Sequence, residues 1–201
     1  MRLGNSEQAR SRSTLAVFMP DYYRHQFKYM IISFVGFMGV GKSTIAKRLS
    51  TLLSSKHIDL DTYIDAKEEM STTEIFSSFG EAHFRKLEEK YLGEIIENSE
   101  NKITILSLGG GSLMSGINRE LVKNRTTCIY LKASTDILTE RISKSRKERP
   151  LVQGVSSAEL RERIEELMRE REPQYEEAAS IVIETDGLSA TEIINKIMAS
   201  I

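Results

Sequence analysis

Residues 36–44 read Gly-Phe-Met-Gly-Val-Gly-Lys-Ser-Thr, the pattern Gly36-x-x-x-x-Gly41-Lys42-Ser43 followed by Thr44. That spacing suits the cradling of phosphate. Glycines let the backbone turn tightly and bring its N–H groups up to anionic oxygens. Lys42 then reaches the outer phosphates of a nucleoside triphosphate, and the Ser43 hydroxyl is a ligand type for Mg²⁺. Met38, Gly39, Val40, Gly41 and Thr44 would surround the same phosphates, so ATP and Mg²⁺ are the expected cofactors. The motif requires a strand before it and a helix after it. Ile31-Ile32-Ser33-Phe34-Val35 is a short apolar, β-branched run, and Ile45, Ala46, Leu49, Leu52 and Leu53 recur at helical spacing.

Further candidates lie downstream. Asp59 and Asp61 close a short strand predicted over 57–61, and residues two apart on a strand share one face of the sheet. In a doubly wound sheet, ligands bind beyond the carboxyl ends of the strands. One carboxylate there would help hold Mg²⁺, and the other would orient or deprotonate an attacking hydroxyl. The plainer alternative is a strand-terminal pair with Asp61 as the N-cap of the next helix. Another apolar strand runs into Gly109-Gly110-Gly111, where many phosphate-loop enzymes carry a metal-binding aspartate. Three glycines expose backbone and admit a ligand closely, although a flexible loop has the same composition. Without an acid there, Asp59 is the metal partner to expect.

Three arginines complete the set. Arg85 is followed by Glu88 at a spacing that would hold it in place. Arg149 sits in the basic loop Lys144-Ser145-Arg146-Lys147-Glu148-Arg149 before Pro150, and Arg171 precedes Glu172-Pro173. From spacing alone each reads as a solvated surface charge. On a mobile polar loop beside ATP, an arginine such as Arg149 would stabilise the charge that spreads over a transferring phosphoryl group.

The elements that must position these residues alternate. Strands are predicted near 31–35, 57–61, 103–108, 127–132 and 180–184. Helices follow the phosphate loop and cover about 61–70, 71–79, 81–98, 115–123, 134–143, 157–172 and 188–199. Alternation of this kind predicts an α/β fold, a three-layer α/β/α sandwich around a five-stranded parallel sheet. The breakers Pro150 and Gly154 mark residues 144–156 as a loop and candidate lid. The helix from Ser157 is expected to stop at Pro173.

Composition narrows the class. A chain of 201 residues suits one α/β domain. A formal net charge of -1 gives no global field toward nucleic acid or a membrane surface. No apolar stretch approaches the roughly 20 residues that span a bilayer. The single cysteine, Cys128, lies in an apolar run and reads as core, and the three histidines are scattered. Residues 1–29 are rich in Arg and Ser. That composition fits an organelle transit peptide or an upstream extension ahead of Met30, and the extension is the favoured reading. A poorly ordered arm at 1–29 and one domain over 30–201 are expected, in a cytoplasmic monomer.

Together these stretches resemble the shikimate kinase family. The matching pieces are the phosphate loop, Asp59-Leu-Asp61, Gly80-Glu-Ala-His-Phe-Arg-Lys-Leu-Glu-Glu89, Leu108-Gly-Gly-Gly111, Arg149-Pro-Leu151 and Arg171-Glu-Pro-Gln-Tyr175. They stand in the family's order across about residues 30–200. The resemblance implies ATP-dependent phosphorylation of the 3-hydroxyl of shikimate, in aromatic amino acid biosynthesis, on a fold like the nucleoside monophosphate kinases. It implies that Asp61 binds the shikimate hydroxyls and serves as base, and that Arg85 and Arg171 clamp the carboxylate. Gly110, flanked by Gly109 and Gly111, would touch the substrate through backbone. Arg149 would reach the phosphates from the lid, with Lys42 and Ser43 in their loop roles and Asp59 near the metal. One departure stands out. The family often places arginines around adenine, but here Ile142 and Ser143 occupy the early lid region and no arginine follows Arg171. Thr185-Asp186-Gly187-Leu188 would offer backbone and small polar groups instead.

Two other readings share parts of this pattern. A related kinase of gluconate or of nucleoside monophosphates would give ADP with those acceptors and none with shikimate. A catalytically silent nucleotide-binding module would bind ATP and shikimate without transfer.

Overall fold

Five strands pair in parallel in the order β2-β3-β1-β4-β5 in the computed structural model. They are β1 Met30–Val35, β2 Lys56–Asp59, β3 Ile103–Ser107, β4 Thr127–Lys132 and β5 Ile181–Glu184. The helices are α1 Lys42–Leu52, α2 Leu60–Glu68, α3 Thr72–Glu97, α4 Gly116–Arg125, α5 Thr135–Ser143, α6 Ser157–Ala178 and α7 Ala190–Ser200. The structure describes residues 30–99, 102–145, 152 and 156–201. The arm at 1–29, Arg149 and most of the loop predicted at 144–156 lie outside the described residues. No helix of the described residues is long and apolar enough to cross a membrane.

The parallel strands are apolar on both faces, as the predicted three layers require. One face buries Ile32, Phe34, Ile105 and Leu131 against Leu49, Leu138, Ile164 and Ile197 of α1, α5, α6 and α7. The other buries Val35, Leu106, Cys128 and Tyr130 against Ile64, Leu92, Val122 and Tyr175 of α2, α3, α4 and α6. Cys128 is core, and burial pushes its thiol up to about 12, far from a reactive range. Leu52, expected on the buried face of α1, is 37% exposed.

Register brings the functional loops to one edge. Asp59 of β2 pairs with Ser107 of β3, which pairs with Phe34 of β1. The three strands therefore end side by side. Chain order reverses around β1, whose neighbours are β3 and β4, and such a switch point is where doubly wound sheets bind ligands.

Four local expectations differ. The second strand stops at Asp59, so Asp61 lies in the first turn of α2 rather than on the strand. Asp59, not Asp61, caps that helix, its carboxylate accepting from the Thr62 N–H. The 71–79 and 81–98 helices form one element broken at Gly80, whose φ of 78° and ψ of 171° fall in a region that is essentially glycine-only. Finally, α6 does not stop at Pro173 but continues to Ala178. An interior proline costs about 3 kcal/mol. Burial of Tyr175 and Ala178 beyond it offsets that cost. The same continuation lets α6 cross from one helical layer to the other, with Arg171 at the crossing.

Candidate active site

Local backbone chemistry builds the phosphate loop. Gly36, Gly39 and Gly41 have φ of 136°, 85° and 106°, a region that side chains rarely adopt. Gly36 is constrained twice, because a Cβ there would lie 2.4 Å from the Leu131 carbonyl oxygen. The Lys42 ammonium donates to the carbonyls of Gly36 at 2.6 Å and Phe37 at 3.1 Å, which holds it over the loop. Every other α-helix of the described residues starts with a side-chain cap: Asp59, Ser71, Ser115, Ser134, Ser156 or Ser189. Helix α1 starts at Gly41 with none. Its first N–H groups and the positive end of its dipole are left for an anion.

Beside the loop, the Ser43 hydroxyl donates to Asp59 Oδ2 at 2.7 Å. Strand and helix have converged on one hydroxyl–carboxylate pair from residues 16 apart. A hydroxyl, one carboxylate and the phosphates of a nucleotide make a donor set that suits Mg²⁺, a cation that keeps much of its water.

Sequence-predicted residues from five separate segments line one cleft of about 650 Å³, among them Lys42, Asp59, Asp61, Arg85, Gly110 and Arg171. Its floor is the glycine triplet, and the space is used closely. A Cβ on Gly109 would sit 2.7 Å from Asp61 Oδ1 and 3.0 Å from Glu88 Oε1. One on Gly111 would fall 2.2 Å from Arg85 Nη2. The triplet is thus a packed surface and not merely a flexible loop.

Arg85 is held as its spacing predicted. Nη1 donates to Glu88 at 2.5 Å and Nη2 to Glu81 at 2.5 Å. The Glu88 carboxylate is fully buried and also accepts from the Ser112 hydroxyl. Burial pushes the Glu88 carboxyl above its ordinary range, against the pull of Arg85 and Ser112. Glu81 is half exposed, so its hold on Nη2 is worth little.

Arg171 overturns the surface reading. It is 3% exposed, and its guanidinium donates to the Gly110 carbonyl at 3.3 Å and lies 5.8 Å from the Phe37 ring centroid. No carboxylate of the described residues pairs with it, and its Nε has no hydrogen-bond partner among them. A buried charge normally has a counter-charge. Tyr175, one turn on, donates to the same Gly110 carbonyl, and burial pushes its phenol well above the usual range.

Sequence reasoning missed Arg141, whose Nη1 donates to the Val40 carbonyl at 3.0 Å. A cation next to Ile142 therefore ties α5 to the phosphate loop. The segment expected to offer polar groups in its place uses them within the fold. Thr185 is fully buried and donates to the Lys132 carbonyl, and Asp186 accepts from the Ser134 N–H.

Comparison with known proteins identifies the family. A shikimate kinase family model matches residues 38–201. A shikimate kinase of Mesorhizobium japonicum is 37% identical over 167 residues, 82% of this chain and 79% of that one. One of Francisella tularensis subsp. novicida is 38% identical over 166 residues, covering 83% and 91%. Among solved structures, shikimate kinase from Acinetobacter baumannii in complex with shikimate superposes with a TM-score of 0.78 at 31% identity, over 87% of this chain and 94% of that one. A cleft ordered this way and a family match across most of its length agree, and the chain belongs to the shikimate kinase family.

Proposed function

We propose that this chain transfers the γ-phosphoryl group of ATP to the 3-hydroxyl of shikimate, with the cleft residues in specific roles. The observation that carries this reading is Arg171, a buried guanidinium whose counter-charge is absent from the described residues. A small carboxylate over Gly110 would supply it, and guanidinium forks suit carboxylates. Arg85 is the second donor. The substrate carboxylate would displace half-exposed Glu81 from Nη2, while buried Glu88 keeps Nη1 in place.

With the carboxylate fixed at the Arg85 and Arg171 end, the hydroxyl edge of the ring lies toward Asp61. Asp61 takes the proton as the 3-oxygen bonds to the γ-phosphorus, and the bond to the bridging oxygen breaks to release ADP. Lys42 and the open N-terminus of α1 bind the phosphates. Ser43 and Asp59 would hold Mg²⁺, which supplies charge neutralisation on the phosphate oxygens when bound.

A coupled ADP assay over a panel of acceptors tests the reading. ADP release that needs shikimate is expected. Turnover with gluconate or a nucleoside monophosphate, and none with shikimate, would sink it. Binding of ATP and shikimate without transfer at saturating Mg²⁺ would identify a silent module instead. The floor makes a separate prediction. Gly111→Ala puts a methyl group where the Arg85 guanidinium lies, so KM for shikimate is expected to rise about tenfold or more. An unchanged KM in steady-state kinetics would remove Arg85 from the carboxylate site.

A further inference from the structure

One wall of the cleft has no part in the chemistry above. Asp65 lies one helical turn beyond Asp61 on α2, so the two carboxylates share a face. Thr72, the first residue of α3, meets it there: the Thr72 hydroxyl donates to Asp65 Oδ1 at 2.7 Å. Both residues are partly buried and both line the cleft.

The direction of that hydrogen bond decides what the wall can recognise. A threonine hydroxyl has one proton, and here Asp65 takes it. What remains toward the cleft is acceptor only: the lone pairs of Thr72 Oγ1 and the second oxygen of Asp65. No lysine or arginine of the described residues pairs with Asp65. The nearby Lys67 is engaged with Glu94 at 3.0 Å. Nor do three His, Cys, Asp or Glu side chains among the described residues gather closely enough to hold a metal ion. An acceptor-only wall favours a ligand edge that carries O–H donors. It penalises an apolar edge, which would strip water from a carboxylate and return nothing. Phe76 and Phe84, with ring centroids 4.9 Å apart, also line the cleft. Phe76 lies one turn beyond Thr72 on α3, so the acceptor pair stands beside an aromatic surface. A ring with an apolar face and a hydroxylated edge suits that lining.

We propose that Asp65 and Thr72 are specificity-determining residues, accepting hydrogen bonds from a ring hydroxyl of the acceptor other than the one phosphorylated. The ligand class is a polyhydroxylated ring carboxylic acid. This inference rests on the shikimate reading of the same cleft.

The test compares kcat/KM of wild type, Thr72→Val, Thr72→Ser and Asp65→Asn on shikimate and on its 4-deoxy and 5-deoxy analogues. Wild type is expected to prefer shikimate over at least one analogue. Thr72→Val should reduce that preference about tenfold, the scale of one neutral hydrogen bond. Thr72→Ser, which keeps the hydroxyl, should retain it. Unchanged preference in both Thr72→Val and Asp65→Asn would overturn the assignment. So would an equal loss on all three compounds, which would make the pair structural. A wild-type protein that phosphorylates none of them would instead overturn the shikimate reading, and this inference with it.

Discussion

Asp61→Asn is expected to lower kcat by about a hundred- to ten-thousandfold, the usual contribution of a positioned general base. The substitution keeps the size and one acceptor oxygen of the side chain but cannot take a proton from the attacking hydroxyl. KM for shikimate should move much less, since the carboxylate clamp lies elsewhere. ATP affinity should hold as well, because Ser43 and Asp59 form their own pair at 2.7 Å and the loop contacts of Lys42 do not pass through Asp61. Asp61→Glu should fail to rescue the rate. The Asp61 carboxylate is positioned against the glycine floor, where a Cβ on Gly109 would approach it to 2.7 Å, and another methylene would shift it off that position. Steady-state kinetics with a coupled ADP readout, and ATP titration of the same variant, separate these effects. A rise in KM with kcat intact would leave Asp61 its hydroxyl-binding role and remove it as the base.

Some of this site was legible without coordinates because its signals are local. The phosphate loop, its strand and its helix occupy adjacent residues, and the glycines carry their own backbone requirement. Arg85 with Glu88 was readable for the same reason, a three-residue helical spacing. The pairing of Ser43 with Asp59 was only inferable, because it depends on β2 and β1 both flanking β3. From sequence Asp61 falls on the strand, because a boundary two residues away changes the element without changing the composition. Pro173 marks a helix end by propensity alone, which does not include the burial of Tyr175 and Ala178 that outweighs it. Arg141 and Arg171 carry the general lesson. In a chain with many basic residues, nothing in a charged stretch says which guanidinium faces a loop and which faces water. That information lies in the path of α5 and α6, which only packing decides.

Arg171→Met is expected to separate binding from stability. Loss of a charge-assisted pair of hydrogen bonds should lower kcat/KM for shikimate by about 100- to 1000-fold, mostly through KM. The fold should respond in the opposite direction. The guanidinium is 3% exposed, with the Gly110 carbonyl at 3.3 Å, the Tyr175 hydroxyl and the Phe37 ring as its neighbours. A cation over an aromatic ring contributes roughly 0.5–2 kcal/mol and a single hydrogen bond to a charged group about 1.5–3. Desolvating an unpaired charge costs several kcal/mol. The contacts recover no more than about what desolvation costs, and a methionine of similar length removes both together. The variant's melting temperature without substrate should therefore equal or exceed that of wild type, by about 2–4 °C for each kcal/mol recovered in a domain of this size. Saturating shikimate should raise the wild-type melting temperature and leave that of Arg171→Met nearly unmoved. Arg171→Lys keeps the charge but loses the planar fork, so it should recover only part of the binding. A melting temperature lowered by several degrees would make Arg171 a structural residue. An unchanged KM would mean that the charge buried above Gly110 serves something other than the acceptor carboxylate.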